Sequence, residues 1–337
     1  PDFLLSSLVN IQPDDEVLII IVERRVGTEW QAIFMGVFNE VAYGPLVPFR
    51  YLDAYRAPHA FLTGLLLHRE CPDTALEAFF EQVVRANRGR WSAVRLVCYP
   101  RTRAVSDASD RSLRERKVHW HEYCPEQRAS IAPSSVPADY LEKQLSRRSL
   151  RNLRRKKRQL ESMGEYEWRF VPSAEVGERT IAEFLRLEDL GWKGHEGSSL
   201  IATPGHQRFF EEMITKLAAR GQVFFTEILL DGEVIASTSN LMSGRSGFAF
   251  KLGWDPAYAR QSIGILNELE LIEHMPTYLA DIDHMDSGAM PGSFMEDLWS
   301  GRDTLSGGYY ATDAKSTFYI QAYKMAATIK RCLKGQW

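Results

Sequence analysis

Gln222-Val-Phe-Phe-Thr-Glu-Ile-Leu-Leu230, Val234-Ile-Ala-Ser-Thr-Ser-Asn-Leu-Met242 and Ser246-Gly-Phe-Ala-Phe-Lys-Leu-Gly-Trp254 are three apolar runs in close succession. Asp231-Gly232 separates the first two and Ser243-Gly244-Arg245 the last two. Asp-Gly supplies the positive backbone angles that tight hairpins require, so the three runs read as an antiparallel meander. A loop opening on Asp255-Pro256 then feeds Ile263–Met275, a helix stopped by Pro276, and a short strand at Ala280–His284. Working backwards, His206–Arg220 and Glu178–Leu190 read as helices, the second with Ile181, Phe184, Leu185 and Leu187 on one face. Glu165–Val171 reads as a strand, and Arg147–Met163 as a long basic helix closed by Gly164. The order after that helix is β-α-α-β-β-β-α-β.

That order is similar to the GNAT acyltransferase fold, and Gln261-Ser262-Ile263-Gly264-Ile265-Leu266 resembles its phosphate-binding pattern Q/R-x-x-G-x-G/A, with Leu266 at the last position. Four stretches resemble the Acetyltransf_6 family, related to the FemAB proteins. They are Leu145-Ser-Arg-Arg-Ser-Leu-Arg-Asn-Leu-Arg-Arg-Lys156, Leu187-Glu-Asp-Leu-Gly-Trp-Lys-Gly194, Leu230-Asp-Gly-Glu-Val-Ile-Ala236 and Phe250-Lys-Leu-Gly-Trp-Asp-Pro-Ala-Tyr-Ala-Arg260. Phe294-Met295, ahead of Trp299, stands where the family carries a Tyr-Lys pair. The resemblance implies a mixed-sheet α/β protein with two GNAT-like domains in tandem. The expected division is a degenerate domain over 1–135 and a donor-binding domain over 136–337, joined by the Pro- and Ser-rich stretch 132–137.

The implied activity is direct transfer of an acyl group from acetyl-CoA, a longer acyl-CoA or a phosphopantetheine carrier to an amine acceptor, small molecule or peptide. No tightly bound cofactor and no metal are expected. Such a reaction needs a seat for phosphates, a donor to the carbonyl oxygen and a proton acceptor. The seat falls on Arg260, Gln261, Ser262, Ile263, Gly264, Ile265 and Leu266, where a helix N-terminus offers unpaired N–H groups. The resemblance assigns the carbonyl to the backbone of Phe250, Lys251, Leu252 and Gly253. Glu188 is the first candidate base, on the family stretch, and Asp286 the second. Tyr258 is a candidate proton donor to the leaving thiolate, Trp192 and Lys193 are candidate acceptor contacts, and Lys193 and Lys251 are either seats for a phosphate or an acceptor carboxylate or plain surface lysines.

The bulk numbers bound the rest. The 337 residues suit two domains, and a net charge of −3 excludes a uniformly basic surface. Arg147–Arg158 nevertheless holds eight basic residues in twelve positions, pointing either to a solvated face or to an anionic partner, a carrier protein or tRNA. A FemAB-like transferase using aminoacyl-tRNA is the second reading, and a GNAT-like module that only binds is the third. Four scattered cysteines suggest free thiols in a reducing compartment. The longest apolar run, Val17–Val22, is too short for a membrane span, and the cytoplasm is the default location. His119 and His121 with Cys124 lack a fourth zinc ligand and read as strand alternation.

Overall fold

The computed structural model describes residues 2–44, 50–85, 90–101, 104–115, 118–312, 316–318 and 320–321. The chain is mixed α/β. It divides into two compact units, residues 1–13 with 127–303, and residues 14–126 with 304–337. The expected boundary at 135/136 falls inside the first of these. Pro133–Ser135 is a single 3-10 turn there, tied to the same unit by Ser134 N–H donating to Ile282 O at 3.1 Å. Proline and serine marked a turn, not a linker.

Helix α1 (Asp2–Asn10) opens the chain. Strands β1 (Leu18–Val26) and β2 (Glu29–Ala42) form a hairpin, and β3 (Arg50–Ala54) and the two-residue β4 (Leu66–Leu67) both pair with β2. Helix α2 (Pro72–Glu77) continues as a π-helical stretch over Ala78–Arg85, which buries Phe79 and Phe80. Strand β5 (Trp91–Pro100) lies parallel to β3. Helix α3 (Ala104–Glu115) and strand β6 (His119–Ile131) follow.

Next come α4 (Tyr140–Gln144) and the basic α5 (Arg147–Glu161), whose first turn is capped by Ser146 Oγ accepting from Ser149 N at 3.1 Å. Leu150, Leu153 and Leu160 bury one side of α5. Strand β7 (Tyr166–Val171), helix α6 (Glu178–Leu190), the one-turn α7 (Trp192–His195) and α8 (Pro204–Ala218) lead to β8 (Val223–Leu230). Strands β9 (Glu233–Ser243) and β10 (Ser246–Trp254) complete the meander. Helix α9 runs Ile263–Tyr278, two residues past the stop expected at Pro276, because the missing proline N–H costs only one bond of the final turn. Strand β11 is His284–Asp286, shorter and later than expected, and α10 is Met295–Leu298.

In this unit β7 to β11 are ordered β11-β10-β9-β8-β7. Strand β8 is buried along its whole length, as a central strand rich in Phe, Val, Ile and Leu should be. Helix α1 docks on α8, with Phe3 edge-on to Phe209 at 5.2 Å.

The stretch Ser306-Gly307-Gly308, read as a loop, belongs to β12 (Gly301–Ala311), antiparallel to β5. Side chains at 307 and 308 would collide with the rings of Tyr123 and Trp120, so glycine here serves close approach within a strand. The helix expected over Thr317–Leu333 lies almost wholly outside the described residues. Among the described residues no helix is long and apolar enough to cross a membrane.

Candidate active site

Parallel strands β10 and β11 pair over three residues only, Ser246↔His284, Gly247↔Met285 and Phe248↔Asp286. Strand β10 then runs on to Trp254, paired with β9 on its other edge and shifted in register between Ala249 and Lys251. A bulge of this kind twists a strand away from its neighbour. The released edge borders a cleft of about 350 Å³ lined by Ala249, Phe250, Lys251, Leu252 and Trp254. Thr238 of β9, Gly264 and Glu268 of α9, Lys193 of α7, and the segments Ser287–Ala289 and Ser293–Met295 complete its walls.

The first turn of α9 closes one end. Ser262, the residue before it, is left-handed at φ 55°, and its carbonyl accepts from Ile265 N at 2.9 Å and Leu266 N at 3.0 Å. The earlier N–H groups of a helix have no partner four residues back and carry the positive end of its dipole. Lys156 Nζ of α5 donates to Ser262 Oγ at 2.5 Å, which brings an ammonium to this turn. A second cavity of about 440 Å³ runs from there along Ser146, Ser149 and Asn152, and shares Phe294 with the first. Lys157 is ion-paired with Glu270, which holds α5 along α9.

Four hydrogen bonds to two adjacent side chains fix the facing of α9. Asn267 donates to Thr226 O and Thr238 Oγ1, each at 3.0 Å, and accepts from Trp168 Nε1 at 3.0 Å. Glu268 is 4% exposed and accepts from Trp299 Nε1 at 2.9 Å. Burial raises its carboxyl to about 7, against the opposing pull of the Trp299 hydrogen bond. A cleft carboxyl that exchanges its proton near neutrality is suited to general base work.

Of the candidate residues read from sequence, Phe250, Lys251, Leu252, Gly264 and Lys193 line this cleft. Gly253 serves another purpose: a Cβ there would lie 2.6 Å from Glu188 N, so it lets the end of α6 pass over β10. Ser262 and Ile265 border the second cavity. Ile263 and Leu266 are wholly buried core residues, Gln261 turns its amide toward Met163, and Arg260 is exposed. Tyr258 packs on the core and lines neither cavity. Asp286 is buried beside the cleft, its Oδ1 accepting from Gly288 N at 2.8 Å and its Oδ2 facing Arg128 Nη1 at 3.5 Å. Burial raises its carboxyl, with Arg128 opposing. The Trp192 side chain lies outside the described residues.

Glu188 is 2% exposed, and both its oxygens are engaged. Oε1 accepts from Lys193 Nζ at 2.9 Å and Oε2 from Leu200 N at 2.7 Å. These two bonds tie Glu188 to Lys193 and to the Leu200 backbone, so the geometry gives Glu188 a positioning role for Lys193. Glu188→Ala leaves a buried N–H and a half-buried ammonium without their acceptor. We expect a loss of about 2–4 kcal/mol in urea unfolding, and a loss below 0.5 kcal/mol would remove that role.

Glu268 and the Ser287–Ala289 wall escaped sequence reading, whereas Lys156 and Phe294-Met295 were visible only as parts of the basic helix and of a family stretch. The signal for Glu268 was its place one turn beyond Gly264, on the same helical face.

Residues 147–294 match the family model of an acetyltransferase (GNAT) domain. No curated protein matches the chain. Among solved structures, one is the C-terminal DUF2156 domain named for a lysylphosphatidylglycerol synthetase of Agrobacterium fabrum. It is 10% identical, with a TM-score of 0.53, over 97% of this chain and 93% of that one. FemX is similar at 9% identity and TM-score 0.52, over 87% and 88% of the two chains. L-PGS from Bacillus licheniformis is similar at 11% identity and TM-score 0.52, over 87% and 85%. At such identities the likeness establishes the fold.

Proposed function

We propose, from a GNAT acetyltransferase domain at residues 147–294, that this chain moves an acyl group from a coenzyme A thioester directly to an amine. The observation that carries the reading is the parting of β10 from β11 after Phe248↔Asp286, which frees a backbone edge beside α9. The phosphates of the donor sit at the first turn of α9 with Lys156, and Gly264 keeps that turn narrow. N–H groups of the 249–252 edge stabilise the thioester oxygen as it becomes negative. The amine nitrogen bonds to the carbonyl carbon and its proton passes to Glu268. The carbon–sulfur bond then breaks, and the same proton returns to the departing thiolate.

The test is thermal unfolding with CoA, acetyl-CoA and a longer acyl-CoA. A ligand at 100 times its dissociation constant adds ~2.7 kcal/mol. Gly264→Val, whose nearest obstacle is the movable Leu252 Cδ2 at 2.7 Å, should still unfold cooperatively and lose this stabilisation. Undiminished stabilisation in the variant would sink the phosphate seat.

A second reading, a FemAB-like aminoacyltransferase drawing on tRNA, is favoured by one observation. Arg147, Arg151, Arg155 and Arg158 form an exposed stripe on α5. Among the described residues none of the four pairs with a carboxylate. Binding of RNA that weakens steeply with salt, without any response to CoA, would favour it.

A further inference from the structure

The donor, as placed above, occupies the α9 end of the cleft. The other side, under α6 and α8, holds positive charge that the fold does not neutralise. Lys193 and Lys251 both line the cleft, and Glu188 is the carboxylate beside them. Its two oxygens are already taken by Lys193 Nζ and Leu200 N. Among the described residues no carboxylate forms an ion pair with Lys251; its ammonium stands 5.5 Å from the centroid of the Phe250 ring. Burial, helped by the charge of Lys193, brings the Lys251 ammonium down to about 8, with Glu188 opposing. His206 of α8 is also lowered, by burial and by the charge of Lys251.

A half-buried ammonium beside a second cation is unfavourable until an anion arrives. The group carries two lysines against one carboxylate, an excess of one charge that matches a carboxylate better than a phosphate dianion. We propose that Lys251, supported by Lys193, binds a carboxylate of the acceptor, so that the amine acylated here belongs to an amino acid or a peptide bearing a nearby carboxylate. This rests on the acyltransfer reading for what the bound molecule does, but its anion seat is separately measurable.

With acetyl-CoA as donor, glycine and β-alanine are compared with their methyl esters and with phosphoethanolamine, by release of free thiol. We expect kcat/KM at least tenfold higher for the free carboxylates, through KM, and a preference under threefold in Lys251→Met. Esters used as well as acids, or an unaltered preference in the variant, would overturn the proposal. A preference for phosphoethanolamine would overturn the carboxylate in favour of a phosphate. Succinate is also titrated calorimetrically into wild-type protein and Lys251→Met, each with and without CoA. Succinate should bind wild type at least tenfold more tightly, and equal binding overturns the seat even if no amine is acylated. Absence of CoA binding beside intact succinate binding would sink the donor reading alone.

Discussion

Glu268→Gln should lower kcat by ~10²–10⁴, the usual contribution of a positioned general base, with CoA affinity little changed. In the wild type the rate should climb as pH rises through about 7, where Glu268 loses its proton, and this limb should vanish in the variant. The same substitution should stabilise the folded chain above neutrality. The folded carboxyl is raised from 4.5 to about 7, so between those values the unfolded chain ionises while the native one keeps its proton. Native stability therefore falls from pH 4.5 to 7, by roughly 3 kcal/mol at 1.36 kcal/mol per pH unit, and glutamine removes that decline. Trp299 Nε1 can still donate to the amide oxygen. Urea unfolding at pH 5 and pH 8 decides it: an equal difference between variant and wild type at both would mean that Glu268 is not held neutral. A residue that weakens the fold while serving the reaction is common at catalytic positions.

Gly253→Ala should be among the most damaging small changes in the unit. Its Cβ would meet backbone on three counts, Glu188 N at 2.6 Å, Glu188 Cα at 3.0 Å and Leu187 C at 3.0 Å, so no side chain can swing aside. We expect roughly 3 kcal/mol of destabilisation, the upper end of over-packing losses, with α6 lifted from β10 and Lys193 displaced with Glu188. Gly264→Ala is the control, since its Cβ meets only the far end of Leu252. Equal melting temperatures for the two variants would show that α6 does not press on β10 as described.

The elements with strong periodicity and clear turns were legible. Helix α6 over Glu178–Leu190 and strand β10 over Ser246–Trp254 have the bounds their patterns imply. The Gly-rich β12 was not, because the rings of Tyr123 and Trp120 are what explain Gly307 and Gly308, and those lie far off in sequence. Nothing in the sequence sets Glu268 and Glu270 apart from the rest of their helix. What buries them is Trp299 for one, and Tyr166 with Lys157 for the other. Lys251 was legible as a candidate seat for a phosphate or an acceptor carboxylate, but what separates it from a plain surface lysine became visible only once Glu188 was seen to be engaged. Sequence patterns report which face is apolar; they do not report who is left unpaired.

The division of the chain bears on how it is made. The unit begun by residues 14–126 includes residues from 304 onward, so the ribosome must add the whole 127–303 segment before that unit can close. At ordinary elongation rates this is a wait of roughly ten to thirty seconds. Throughout it β5 lacks β12, the partner of its Ala93–Pro100 stretch, and a nascent chain with such an edge open is a natural client for chaperones.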